Sequence, residues 1–346
     1  MARDQSQTGG KRSTNIQAGR DVHVTGLSMD EARQVALDVY RENAMALRGI
    51  AQEVALARAE KLTNEFLRSL GAAGRLDALA DPDMQSAVFE AQQGYVRSGE
   101  EELCETLVSL LTTRASEEGR STRVIALNEA ITCVPKLTAQ QMRAIAVVFA
   151  LRYTQPDASQ SLETYYEGWM HKVILPLAHD LPRTSSDFQH IEYVGAGTLS
   201  VATYEFGWCV RDGVEGLYSR GFDKKDLSRG LQAQVGSSTM FVPAFRSAGR
   251  LQLNVLSANI LAEKARVKGL ADYEDELRRL LNADLLDPDE VAAEAIREVP
   301  ELAELATWWD DYYGASHLQL TTVGYVIGHA YWLKEVDGQS PLSNWL

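Results

Sequence analysis

The most informative stretch of this 346-residue chain is Leu137-Thr-Ala-Gln-Gln-Met-Arg-Ala-Ile-Ala-Val-Val-Phe-Ala-Leu151. Thr138 and Gln141 have the spacing of a capping box, and Leu137 and Met142 are placed to form the hydrophobic staple around it. Residues 144–151 are then apolar without exception. A helix needs about 20 apolar residues to span a bilayer, so this run predicts a short helix, ending near Tyr153, that is buried on all sides at the centre of an α-helical fold.

Upstream of this helix, the sequence favours long helices. Ser28-Met-Asp-Glu31 has the form of a second capping box. No proline follows before residue 70, and Ala, Leu, Glu, Arg and Gln dominate, which are strong helix formers. We therefore expect one unusually long helix over residues 29–70, ended by Gly71 and Gly74.

Further helix starts follow the same rules. Asp81-Pro82 places an N-cap before a proline at the first helical position, and the helix should run to about residue 118 with a bend near Gly94 or Gly99. Helices are also predicted over residues 122–134, 139–153, 161–175, 302–313 and 320–332, and from Asp287-Pro-Asp-Glu290. In the last predicted helix, Gly324 and Gly328 lie one turn apart and should let another backbone approach closely.

The middle of the chain, residues 182–245, is rich in glycine. This pattern favours short helices joined by turns over a sheet, and the uncharged residues 230–245 indicate burial or an interface. The expected fold is mainly α, a multi-helix bundle with long N-terminal helices, a short β tail ahead of it and no large sheet. We divide it into a tail over 1–27, a long-helix bundle over 28–180 and a glycine-rich and acidic helical region over 181–346.

The tail contains a short alternating pattern, Asn15-Ile-Gln-Ala-Gly-Arg-Asp-Val-His-Val24. Ile16, Ala18, Val22 and Val24 fall on one face of two very short strands, and Gly19 permits the bend between them. Since an isolated two-stranded ribbon is marginal in water, these strands need a partner. Identical segments of neighbouring chains could supply one, or a strand elsewhere in the same chain; the former predicts a homo-oligomer.

The charge of the chain is uneven. The formal net charge is −14; residues 270–346 contain sixteen acidic and four basic side chains, a balance of −12. Affinity for nucleic acid comes largely from Lys and Arg, so no nucleic acid is expected as a partner. Three widely spaced cysteines and a polar N-terminus without an apolar segment predict reduced thiols in a cytoplasmic protein, and a membrane partner is not expected at rest.

Several segments resemble an uncharacterised bacterial family known mainly by locus names. They are Ser13-Thr-Asn-Ile-Gln-Ala-Gly-Arg-Asp-Val22, Leu27–Val39, Asp187–Gly195, and the Leu320-Thr-Thr-Val-Gly, Gly328-His-Ala and Leu342-Ser-Asn-Trp motifs near the end. The resemblance covers nearly the whole chain and implies no activity. The first segment is also similar to the β-turn repeats of haemagglutinin-type β-helices, and similar tags occur on proteins linked to bacterial immunity. Leu320–Gly324 is similar to a winged-helix module, although the wing strands are missing.

Candidate chemistry is sparse. His190-Ile-Glu192 has the His-x-Glu form of zinc deaminases, but the Pro-Cys-x-x-Cys segment of that motif is absent from the sequence. With His329, these residues are the candidates for a catalytic site; no metal and no cofactor are expected. Aromatic residues such as Trp169 and Trp308 could stack on bases, although their helical spacing favours packing.

Three functions remain open from the sequence. The favoured one is a self-assembling helical scaffold or effector that binds a partner protein, with a role in bacterial antiviral defence that rests on the resemblance alone. The second is an enzyme with a site in the glycine-rich middle, where His190, Glu192 and His329 converge. The third is a membrane-active effector that exposes residues 230–245 on activation.

Overall fold

The fold is mainly α-helical. The computed structural model describes residues 28–43, 49–155, 161–311, 314–334, 336 and 340–346. Within these residues, β structure is limited to two small antiparallel sheets and a few isolated bridges, which confirms the predicted fold class. The predicted ribbon, with Ile16, Ala18, Gly19, Val22 and Val24, lies outside the described residues.

The helices are numbered in chain order. The first six are α1 (Met29–Asn43), α2 (Ile50–Ala72), α3 (Pro82–Ser98), α4 (Glu101–Ala115), α5 (Thr122–Cys133) and α6 (Ala139–Tyr153). A continuous helical stretch follows, made of α7 (Leu162–Thr164), a π-helix (Tyr165–Ile174) and α8 (Leu175–Leu177). The rest are α9 (Ser185–Tyr193), α10 (Phe206–Arg211), α11 (Glu215–Tyr218), α12 (Arg229–Gln234), α13 (Ala258–Val267), α14 (Glu274–Leu281), α15 (Pro288–Glu298), α16 (Leu302–Asp310) and α17 (Thr322–Trp332). In the sheets, β1 (Gly197–Leu199) pairs with β4 (Leu318–Leu320), and β2 (Phe241–Pro243) pairs with β3 (Leu251–Leu253).

Helix α6 lies at the centre of the fold. Every residue from Gln141 to Leu151 is buried, and the Thr138–Gln141 capping box is formed by both of its hydrogen bonds. The helix packs extensively against α17. At this contact a Cβ on Gly328 would lie 2.6 Å from the Cβ of Phe149, so the predicted close approach of α17 to a neighbour is confirmed.

The predicted long helix over residues 29–70 was wrong. Its capping box forms, since Ser28 N–H donates to Glu31 and Glu31 N–H donates to the Ser28 hydroxyl. However, Gly49 has a φ of 61°, and α2 begins only after it. Glycine adopts a positive φ without strain, and one glycine lowers helix propensity by only about 1 kcal/mol, so composition alone did not reveal the break.

A second interruption lies where only a bend was expected. Gly99, with a φ of 73°, ends α3, and α4 starts two residues later. The Asp81 N-cap and the Asp287–Glu290 capping box form as predicted. The glycine-rich middle consists of short helices and turns, as expected, together with the three-residue strands β1 and β2.

The described residues form two hydrophobic clusters. One extends from Ala32 to Leu342 and includes residues on both sides of position 180. The other is confined to residues 222–281. The division of the chain at residue 180 stays a prediction, but α6 and α17 share one core.

The three cysteines, Cys104, Cys133 and Cys209, are free and buried. In the part of the chain that the structure describes, each helix is too short or too polar to span a bilayer.

Candidate functional site: a tryptophan cleft

A π-helix forms one wall of the candidate site. Residues Tyr165–Ile174 have this conformation over ten residues, and the Leu175 N–H donates to the Met170 carbonyl five residues back. π-helical turns are rare and are often found at functional sites. Gly168, Trp169 and Lys172 of this segment line a cavity of about 800 Å³.

Three tryptophans from distant parts of the sequence meet at this cavity. Trp169 comes from the π-helix, Trp332 from the end of α17 and Trp345 from the C-terminal residues. The ring centroids of Trp169 and Trp332 are 6.4 Å apart, and those of Trp332 and Trp345 are 6.0 Å apart, both edge to face. We call this cavity, bounded by the three indoles and the end of α6, the tryptophan cleft.

Hydrogen bonds hold the C-terminal wall in place. The Trp345 indole N–H donates to the Tyr153 carbonyl oxygen. His329 Nε2 lies 2.7 Å from the Ser340 carbonyl oxygen, and since a carbonyl only accepts, Nε2 carries the proton. Burial lowers the pKa of His329, although the hydrogen bond with Ser340 opposes this effect.

One indole of the cleft has an unused donor. Trp332 is only 5% exposed, and its Nε1 is buried without a hydrogen-bond partner among the described residues. An unpaired buried donor is costly, about 1–3 kcal/mol. Such groups are rare in native proteins, and the surrounding wall shields this one from solvent.

The cleft also carries unpaired positive charge. Arg152 and Lys172 both line it, against one carboxylate, Asp212. Neither cation forms an ion pair with any carboxylate of the described residues. The guanidinium of Arg152 is held in place, because it stacks 3.9 Å from the Tyr204 ring centroid and donates to the Leu318 carbonyl oxygen at 2.7 Å.

Gly168 leaves the cleft wide at the π-helix. A Cβ built there has no atom within 4 Å and its φ is not positive. The other glycines with such open space, among those described, all have positive φ values. Gly168 is exposed, so a side chain at this position would meet no steric barrier and would not strain the backbone.

The three catalytic candidates predicted from the sequence have separate environments. His190 Nδ1 lies 3.1 Å from Gln141 Oε1, while the exposed Glu192 accepts from the Leu199 N–H. Only His329 touches the tryptophan cleft, where its ring centroid is 5.3 Å from that of Trp345. There it supports the wall and does not line the cavity.

One network of buried charges elsewhere in the described residues is closed. Arg246 donates to both carboxylate oxygens of Glu294 at 2.6 and 2.7 Å, and Glu294 also accepts from Tyr166, which contacts the Tyr218 hydroxyl at 2.8 Å. Burial alone would raise the pKa of Glu294, but the bonds from Arg246 outweigh it and lower the pKa. This network has no free group for chemistry, so we assign it to structure.

Metal ligands are also lacking in the described part of the chain, where no group of three or more His, Cys, Asp or Glu side chains could hold an ion.

Sequence reasoning singled out Trp169 as a possible stacking residue but missed Arg152, Lys172, Trp332 and Trp345 as its neighbours. The available signal was weak: a basic residue at the end of the most apolar helix, and tryptophans near the end of the chain.

Fold and cavity together define a mainly α-helical protein with an aromatic cleft. The chain belongs to an uncharacterised protein family, described as ":-like", whose model matches residues 26–346. This covers nearly the whole sequence and confirms the family-level resemblance. No curated protein and no solved structure matches the chain significantly.

Proposed function

We propose that this protein is a helical effector that binds a small aromatic molecule in the tryptophan cleft. The observation that carries this proposal is the convergence of Trp169, Trp332 and Trp345 on one cavity. Its volume of about 800 Å³ falls in the usual range of ligand sites, about 300–1,000 Å³. Such sites combine apolar and aromatic walls with a few polar groups that fix orientation.

Stacking would supply much of the affinity. Aromatic side chains contribute about 1–3 kcal/mol for each stacked base in known nucleic-acid sites. Trp169 and Trp332 are largely buried. The half-buried Trp345 is the indole most open to a ligand, and its hydrogen bond to Tyr153 keeps it in place before a ligand arrives.

Self-assembly belongs to the same proposal, on the basis of the residue pattern at 15–24. The apolar face of Ile16, Ala18, Val22 and Val24 would pair with sister chains, and ligand binding in the helical body would act on the assembled particle. A role in antiviral defence is supported only by the resemblance of this tail to tags on immunity proteins.

Thermal unfolding with three aromatic probes of different charge tests the cleft: adenosine 5′-monophosphate (AMP), indole-3-acetate and benzyltrimethylammonium. At 100 times its dissociation constant, a ligand stabilises the folded state by about 2.7 kcal/mol. We expect at least one probe to raise the melting temperature of the wild type. Gly168→Leu should reduce the shift, because the new side chain at the cleft wall takes up part of the space.

Gly168→Ala is the matched control, since its single methyl group meets no atom within 4 Å. It should retain the shift. If no probe stabilises the wild type, or if Gly168→Leu responds as strongly as Gly168→Ala, the cleft is not a binding site.

A further inference from the structure

We infer that the tryptophan cleft is a nucleoside phosphate site, in which a base stacks on the indoles and the phosphate binds Arg152 and Lys172. The inference rests on the proposed function and adds the chemical class of the ligand. It follows from two properties of the cleft: unpaired cations and amide groups beside the rings.

The positively charged side chains of the cleft favour a negatively charged ligand. Arg152 and Lys172 against Asp212 leave the lining of the cleft with a net positive charge, in a protein whose formal net charge is −14. The guanidinium of Arg152 contacts the rings of both Tyr204 and Tyr153, at 3.9 and 5.1 Å from their centroids, and the bond to Leu318 engages one of its nitrogens. Its remaining N–H groups form a fork that suits a phosphate, while Lys172 supplies a mobile point charge.

Amide groups on the wall of the cleft suit a nucleobase, whose edges carry ring nitrogens or carbonyl oxygens that accept hydrogen bonds. Gln155, Asn259 and Asn344 line the same cleft, and amides both donate to and accept from base edges.

Competing ligand classes fit less well. An aromatic cage for a quaternary ammonium group would place a cation beside Arg152 and Lys172. A nucleic acid strand would have to extend over a surface where residues 270–346 have a charge balance of −12. A single nucleotide needs only the local positive charge of the cleft.

Isothermal titration calorimetry with AMP and adenosine on the full chain tests the inference. AMP should bind at least tenfold more tightly than adenosine, and only AMP should weaken as salt is added, because screening acts on the phosphate contacts. Lys172→Met should weaken AMP by about tenfold, the size of one hydrogen bond to a charged group, and leave adenosine unchanged. Lys268→Met, an exposed lysine at the end of α13, is the control and should change neither affinity.

The outcomes separate the two proposals. If AMP binds no more tightly than adenosine, or Lys172→Met weakens both equally, no phosphate site exists and the inference is wrong. If only indole-3-acetate or benzyltrimethylammonium binds, with weaker binding to Gly168→Leu, the cleft function stands and the nucleotide inference fails. If a ten-residue oligodeoxyadenylate binds more tightly than AMP, the ligand is a strand and the inference is also wrong. If none of these compounds binds, both proposals fail.

Discussion

Trp332, which is buried, and Glu215, which is half-buried, each have one buried polar atom without a hydrogen-bond partner among the described residues, Nε1 and Oε2 respectively. Trp332 lines the tryptophan cleft, but its Nε1 is itself shielded from solvent. Glu215 lines none of the cavities described above, so the unpaired Oε2 only lowers the stability of the folded protein.

Glu215 should destabilise the protein at neutral pH. Burial raises its pKa, although backbone N–H groups partly oppose this. Above the unfolded-state pKa of about 4.3, the unfolded chain gives up its proton more readily than the folded one, so stability falls as pH rises through this region. Urea unfolding should therefore show Glu215→Gln to be more stable at pH 7 by about 1 kcal/mol.

The gain should disappear below about pH 4, where Glu215 is protonated in both states. Glu263→Gln, an exposed acid on α13, is the matched control and should change stability little at either pH. A Glu215→Gln variant that is less stable at pH 7 would show that the carboxylate contributes more than it costs.

Helices whose start is marked by a short sequence motif were predicted correctly. Features without such a motif were missed. The capping boxes at Thr138 and Asp287 mark helix starts because three or four adjacent residues determine them. The break at Gly49 and the π-helix at 165–174 have no such signal. A π-helix differs from an α-helix by one residue in its hydrogen-bond spacing, and composition does not report that spacing.

The packing of α17 gives a prediction at this scale. A Cβ on Gly324 would lie 1.9 Å from the Ala196 carbonyl oxygen, and backbone cannot move aside as a flexible side chain does. Gly324→Ala should therefore destabilise the protein by about 1–3 kcal/mol in urea unfolding, as overpacking does, despite the higher helix propensity of alanine.

Gly168→Ala serves here too as the comparison, because the same substitution at 168 meets open space. It should leave the free energy of unfolding within about 0.5 kcal/mol of the wild-type value. Equal effects at the two positions would mean that α17 does not pack closely on the segment around Ala196.

For the whole molecule, the sequence predicts the fold far better than the site. Helix positions follow from neighbours along the chain, whereas the cleft joins residues 152, 169, 332 and 345, which are separated by as much as 193 positions. No pattern in a single sequence links residues at such distances. His329 supports the cleft through its contact with Ser340, a role that the sequence did not indicate, and its catalytic role stays a prediction.

The assembly of the whole protein is the remaining prediction. Residues 15–24 have too few apolar groups to form a stable ribbon alone, so pairing with sister chains would stabilise them and close their open edges. Size-exclusion chromatography with light scattering should give a mass of several chains for the full protein and of one chain, about 38.2 kDa less the tail, for a variant that begins at Ser28.

Point substitutions distinguish pairing of the ribbon from a general effect of removing the tail. Val22→Lys combined with Val24→Lys places two positive charges on the apolar face of the ribbon in the full chain. Because the lysines of paired copies would repel each other, this variant should dissociate into single chains. Gln17→Lys with His23→Lys adds the same charge on the opposite face and should preserve the assembly. If the full protein is a single chain, or if the valine variant remains assembled, the ribbon does not hold the copies together, and the cleft would then have to act within one isolated molecule.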